Sequence, residues 1–192
     1  MRRNNGFTLL ELLVTFVVMV ILMGLAIVML RTTQTSTRDK ERESDISVIA
    51  RGLENRYDRN SILVGGSGAE IFTAPGYPSV NEILFAQNND VPGYTKRGNF
   101  LTNNLQGTNG QAFIGPKGGQ FTVICTSSCP AAENAARITS TTSGVNIDNY
   151  VYEPITASNT ICITFSTECV RFNLYYRTES PNQVNTVRSN RQ

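Results

Sequence analysis

From Phe7 to Leu30 the chain reads FTLLELLVTFVVMVILMGLAIVML, apolar except for Thr8, Glu11, Thr15 and Gly24. As a helix rising about 1.5 Å per residue, this run spans roughly 36 Å, enough to cross a hydrocarbon core of about 30 Å. Ahead of it lies a short polar leader, Met1 to Gly6, carrying Arg2 and Arg3. Positive charge on that side predicts a single-pass chain with a cytoplasmic N-terminus. Arg31 closes the apolar run, and Arg38 to Asp45 then reads RDKERESD. Interleaved charges of both signs predict a solvated helix face with neighbouring ion pairs. Beyond them Ile46, Ile49, Leu53 and Tyr57 recur at spacings of three and four, the stripe of an amphipathic helix. No proline occurs before Pro75. The pattern therefore predicts one helix from about Phe7 to about Arg59. Residues 7–30 form its membrane half and 31–60 its amphipathic half, with Gly65-Gly66-Ser67-Gly68 as the exit loop.

The rest, 61–180, reads as a globular head. Ser79 followed by Glu82 has the form of a capping box ahead of a short apolar run, which predicts a short helix. NNDVPGY, KRGN and GTNG are loop signals. Strands are predicted at Phe121–Cys125, Tyr150–Thr156, Thr160–Phe165 and Cys169–Arg177. Pro154 marks an edge or an end, and Ser166-Thr167-Glu168 has the length of a tight hairpin loop. The segment 181–192 is polar and is expected to be a frayed tail. The fold class expected is α+β: a long N-terminal helix packed on a small antiparallel sheet.

Composition narrows the chemistry. The 192 residues suffice for one domain with a core plus an appendage. A net charge of +2 gives no strong field toward nucleic acid or acidic lipid. The chain has no histidine, so no Ser-His or Cys-His pair can be built and the commonest metal ligand is missing. No Gly-rich segment has the Lys-Ser/Thr ending and following helix of a phosphate loop. No catalytic set, cofactor site or metal site is read from the sequence, and an enzyme is not expected.

Glu11 is the residue that demands an explanation. An ionisable side chain inside a membrane helix costs about 2.5–3.5 kcal/mol and normally has a partner and a function. If the bond between Gly6 and Phe7 is cut, Phe7 gains an α-amino group, a natural partner for a carboxylate in low dielectric. That amine lies one turn away within the same helix, and it also comes within reach of Glu11 on a staggered neighbouring subunit. The simpler reading is a signal anchor with a stray acid near the interface, which leaves the leader and Phe7 unexplained. A cleaved secretory signal fits poorly, because the apolar run is long and no small-x-small site follows it.

The combination RRNNG-FTLLELLVTF resembles the processing and assembly segment of type IV pilins and pseudopilins. The likeness covers Arg2 to Leu30; beyond Leu30 it is architectural only. It implies cleavage by a prepilin peptidase between Gly6 and Phe7, N-methylation of Phe7, and Glu11 guiding subunit addition. The implied partners are other copies of the chain and related pilins in a fibre, the pilus assembly platform and the cytoplasmic membrane. The implied places are that membrane before assembly and the cell surface or an extracellular fibre afterwards. Many pilins carry a proline in the middle of this helix, whereas here only Gly24 offers a soft spot. Major pilin, minor pilin, and secretion or competence pseudopilin all fit.

Four cysteines, Cys125, Cys129, Cys162 and Cys169, allow three pairings. Pairing Cys125 with Cys129 and Cys162 with Cys169 is favoured, and Cys125 with Cys162 or Cys169 remains open. A four-cysteine zinc site needs roughly two to four residues within each pair, which the first pair meets and the second does not. Lys96-Arg97, Lys117, Arg188 and Arg191 form at most small basic patches, read as ordinary surface charge before any DNA contact. Tyr150, Tyr152, Tyr175 and Tyr176 read as sheet residues. The rival functional reading is a single-pass membrane-anchored adhesin or receptor that never polymerises. An anchored metal or redox module is the other. The ligand of the head, whether a surface or DNA, is not written in these patterns.

Overall fold

One helix, α1, runs unbroken from Leu9 to Arg56 in the computed structural model of the chain. The structure describes residues 8–57, 62–64, 70–72, 75–83, 105, 108, 110–119, 121–124, 137–138, 144–164 and 166–191. Two compact units divide within α1, Met1–Arg38 and Asp39–Gln192.

In the first unit α1 is continuous through Gly24, as expected for a run without proline. Every large apolar side chain from Leu9 to Leu30 is exposed, Leu9 by 85% and Val17 by 49%. Past Leu30 the side chains turn polar. The hydroxyls of Thr32, Thr33, Thr35 and Thr37 each donate to the carbonyl four residues earlier, so these groups are satisfied within the helix.

In the second unit the strands are β1 (Ile62–Val64), β2 (Glu70–Phe72), β3 (Phe121–Ile124), β4 (Arg137–Ile138), β5 (Tyr150–Ile155), β6 (Arg171–Arg177) and β7 (Val184–Arg188). β1 and β2 pair antiparallel by themselves. The others form one sheet in the order β4-β3-β5-β6-β7. The α+β class stands, but the sheet is mixed. β5–β6–β7 is antiparallel, whereas β3 runs parallel to both β4 and β5. Parallel neighbours need a crossover of a dozen residues or more, and the chain between Ile124 and Tyr150 is long enough to supply one.

Alternation along the strands sets the core. Tyr150, Tyr152, Phe172 and Leu174 pack with Ile46, Ile49 and Leu53 of α1, joined by Tyr77, Val80, Ile83 and Phe121. The aromatic rings make a chain of contacts. Tyr57 meets Tyr77 at 4.8 Å between centroids, Tyr77 meets Phe172 at 4.8 Å, and Tyr152 meets Phe121 at 6.0 Å. Such pairs add about 0.5–1.5 kcal/mol each beyond their burial. On the opposite face Ile124, Val145 and Val151 form a smaller cluster, which buries β3 on both sides.

Two expectations need correction. Of the expected strand Thr160–Phe165, the described residues 160–164 form no ladder: Ile161 makes one isolated bridge to Ile155, and the Cys162 N–H donates to the Pro154 carbonyl, while Phe165 lies outside the described residues. Cys162 is joined to Cys169 by a disulfide, which turns the segment back after seven residues. The tail is not frayed. Val184–Arg188 adds β7 to the sheet edge, and the Asn190 N–H donates to Glu54. Pro154 falls next to the end of β5, as expected, and β3 pairs only as far as Tyr152, so on that flank its missing N–H breaks no ladder. The Ser79–Glu82 capping box is present, with residues 80–83 helical behind it. The exit loop Gly65–Gly68, Lys96-Arg97, Cys125 and Cys129 lie outside the described residues.

Gly119 is fixed by a close approach. A Cβ there stands 1.0 Å from the Asp148 carbonyl oxygen. The Asp148 turn is itself held by Asn146 and Asn149, so it has little room to yield. Gly119→Ala is therefore expected to destabilise the chain by about 1–3 kcal/mol, as overpacking does. Thermal unfolding of the full chain in detergent reads this directly, and an unchanged midpoint contradicts the packing described.

Candidate functional site: the N-terminal assembly segment

The apolar helix opens with a reciprocal cap. The Thr8 backbone N–H donates to Glu11 Oε2 at 3.0 Å, and the Thr8 hydroxyl reaches the same oxygen at 2.9 Å. In return the Glu11 N–H donates to Thr8 Oγ1 at 3.3 Å. This is a Thr-x-x-Glu capping box, which satisfies two of the amide donors that a helix start leaves without intrahelical acceptors. The helix dipole also favours a carboxylate in the first turn. Glu11 thus has a local role beyond that of a stray acid. The sequence signal for it is Thr8 three residues before Glu11, ahead of an apolar run.

The cap leaves Glu11 chemically incomplete. All of its hydrogen bonds fall on Oε2, and Oε1 accepts none from the described residues. A carboxylate at the tip of an apolar helix, with one oxygen that has no partner among the described residues, is suited to accept a cation. Gly6 and Phe7 lie outside the described residues, so their expected roles rest on the sequence.

The 18 large apolar side chains from Leu9 to Leu30 supply the second half of the site. Each gains about 1.5–3 kcal/mol on leaving water, so together they offer on the order of tens of kcal/mol to a lipid or protein environment. An exposed apolar surface this extensive marks an interaction site. The helix is long and apolar enough to cross a membrane.

Within the second unit the later part of α1 carries charges that are buried. The run RDKERESD is only partly solvated. Lys40 and Glu43 pair in solvent at 2.8 Å, but Arg42 is 1% exposed. Its guanidinium donates to Asp39 at 2.8 Å, to Glu179 at 2.9 Å and to the Ile147 carbonyl at 3.2 Å. Asp39 in turn accepts from the backbone N–H groups of Glu179 and Ser180. Lys117 also reaches Glu179, at 3.2 Å. At the other end of the stripe Arg56 meets Glu82 at 2.6 Å, with both side chains buried. The spacing held the clue: the period through Ile46, Ile49 and Leu53 lands on Arg42 behind and Arg56 ahead.

Burial pushes the Glu82 carboxyl above its ordinary range, with Arg56 and Ser79 pulling it back. Burial likewise raises Asp45, opposed by the hydrogen bond from Tyr150 at 2.8 Å. Tyr152 donates to the Pro78 carbonyl and Tyr175 to Glu153, so these tyrosines are sheet residues with their hydroxyls engaged. No group of three or more His, Cys, Asp or Glu side chains stands ready for a metal ion among the described residues.

Comparison with known proteins adds one finding. Residues 1–27 match the family model for the prokaryotic N-terminal methylation motif, the prepilin-type signature. No curated protein and no solved structure matches the chain significantly. The motif supports a pilin-like or pseudopilin precursor with a structural role. It implies processing by a prepilin peptidase and fits anchoring in a membrane followed by assembly at the surface.

Proposed function

We propose that this chain is a structural subunit of a type IV pilus or related pseudopilus. Its precursor waits in the cytoplasmic membrane with the N-terminus inside. It is cleaved between Gly6 and Phe7, methylated on the new Phe7 amine, and polymerised through α1. The observation that carries the reading is the unbroken, wholly exposed apolar stretch of α1, opened by a single acid and matched by the methylation motif.

The chemistry follows from the parts. Cleavage creates an ammonium at Phe7, and the open Oε1 of Glu11 accepts it from a staggered neighbour. In an apolar surround a charge left alone is costly, so the pair selects the register at which the incoming helix is complete. Helix contacts of this kind are head-to-tail, so they generate an open fibre and not a closed ring. The amphipathic half of α1 and the Cys162–Cys169 disulfide keep the head folded once it leaves the membrane.

Fractionation of cells carrying the chain with its export machinery tests this. Mechanical shearing is expected to release it in a high-molecular-weight fibre fraction, and loss of the prepilin peptidase to return it to the membrane. A chain that stays in the membrane fraction with or without the peptidase is a plain single-pass anchor, and polymerisation is then excluded.

A further inference from the structure

At the β6–β7 end of the sheet lies a concavity of about 410 Å³ lined by Ile155, Asn159, Arg171, Asn173, Arg188 and Arg191, together with Phe172 and Ser189. Three of its side chains are guanidinium groups and none is an acid. Strand register explains the clustering. Asn173 of β6 pairs with Arg188 of β7, and Arg171 lies two residues before Asn173, so all three project from the same face. Ile155 of β5 pairs with Arg171 and completes that row. Arg191 reaches the rim with its guanidinium 3.8 Å above the Tyr57 ring.

The nearest carboxylate on this face is already engaged. Glu153 pairs with Asn173 across the β5–β6 ladder, and its Oε2 accepts from Asn173 at 2.7 Å and from Tyr175 at 2.6 Å. Arg171 and Arg188 make no ion pair or hydrogen bond with the described residues. Two guanidiniums without a partner among the described residues, and a third beside them, form a fork suited to the planar or tetrahedral oxygens of carboxylate, phosphate or sulfate. The volume exceeds what a bare oxyanion fills and falls within the roughly 300–1,000 Å³ of small-molecule sites. Asn159 offers an amide group to hydroxyls, and Ile155 gives one apolar wall.

We propose that this pocket binds an anionic sugar residue, with Arg171 and Arg188 holding its carboxylate or phosphate and Asn159 contacting its hydroxyls. The proposal does not depend on the chain forming fibres.

Calorimetric titration of the full chain in detergent tests the assignment, with glucuronate, glucose 6-phosphate, inorganic phosphate and glucose as probes. Both anionic sugars are expected to saturate a single site, inorganic phosphate to bind at least tenfold more weakly, and glucose to give no saturable heat. The double variant Arg171→Gln, Arg188→Gln is expected to weaken binding of the anionic sugars at least tenfold with an unchanged melting midpoint. Arg188→Gln alone, at the exposed edge strand, provides a second reading if the double variant unfolds. Several results overturn the proposal: no saturable binding of either anionic sugar, equal binding of glucose, full affinity in the arginine variants, or phosphate binding as tightly as glucose 6-phosphate. A short single-stranded oligonucleotide binding more tightly than the sugars also overturns it and reassigns the pocket to a polymer backbone.

Discussion

Replacing Glu11 by Gln is expected to remove the chain from the sheared surface fraction by tenfold or more while leaving the precursor processed and in the membrane. The substitution separates two roles that one side chain combines. A Gln carbonyl can still accept from the Thr8 N–H and hydroxyl, so the cap at the start of α1 survives. What disappears is the charge that pairs with the Phe7 ammonium. A tenfold effect corresponds to about 1.4 kcal/mol, modest for a charge pair in low dielectric, so the expected loss is a lower bound. Glu11→Leu is expected to behave the same way or worse, since it removes the cap as well. If Glu11→Gln assembles normally and Glu11→Leu does not, capping is the role of this residue and the charge pairing is wrong.

Arg56→Met is expected to destabilise the head by about 3–5 kcal/mol, because it leaves the Glu82 carboxylate buried without its counter-charge. A second change, Glu82→Gln, is expected to recover much of that loss, since the amide can still accept from Ser79 without carrying charge. The pH dependence provides an independent check. Burial raises the Glu82 pKa in the folded head relative to the unfolded chain. A carboxyl raised in this way favours folding most below its unfolded pKa, and that contribution is lost as pH rises through the folded value. Without Arg56 to oppose burial, the folded value rises further. The Arg56→Met deficit should therefore be largest at neutral pH and shrink as Glu82 protonates under acid conditions. Chemical denaturation of the full chain at several pH values measures both effects, and a pH-independent deficit contradicts the charge explanation.

Much of the architecture was legible because its signals are local. A run from Phe7 to Leu30 with no proline announces a continuous helix, and Ile46, Ile49 and Leu53 announce the face that meets the sheet. Ser79 and Glu82 announced their own cap. The signals that failed were those whose meaning is set at a distance. Arg42 and Arg56 look like solvent charges in the sequence, and pairing with Glu179 and Glu82, 137 and 26 residues away, helps make their burial tolerable. VNTVR reads as tail because it lacks apolar alternation. It is an edge strand because β6 offers unpaired backbone groups, and pairing there needs little side-chain burial. The parallel placement of β3 beside β5 depends on a long connection and leaves no mark on either strand. Thr160–Phe165 carries a strand-like pattern, but the disulfide turns it away from a ladder. At the functional end the exposed apolar surface was readable, since its chemistry depends on composition and order alone.

The most direct test of the central claim is the mass of the N-terminal peptide from membrane-extracted protein, produced with its own export machinery. The account predicts a peptide beginning at Phe7 and carrying one added methyl group. A peptide that still contains Met1 or Arg2 would contradict it and leave α1 as a simple membrane anchor.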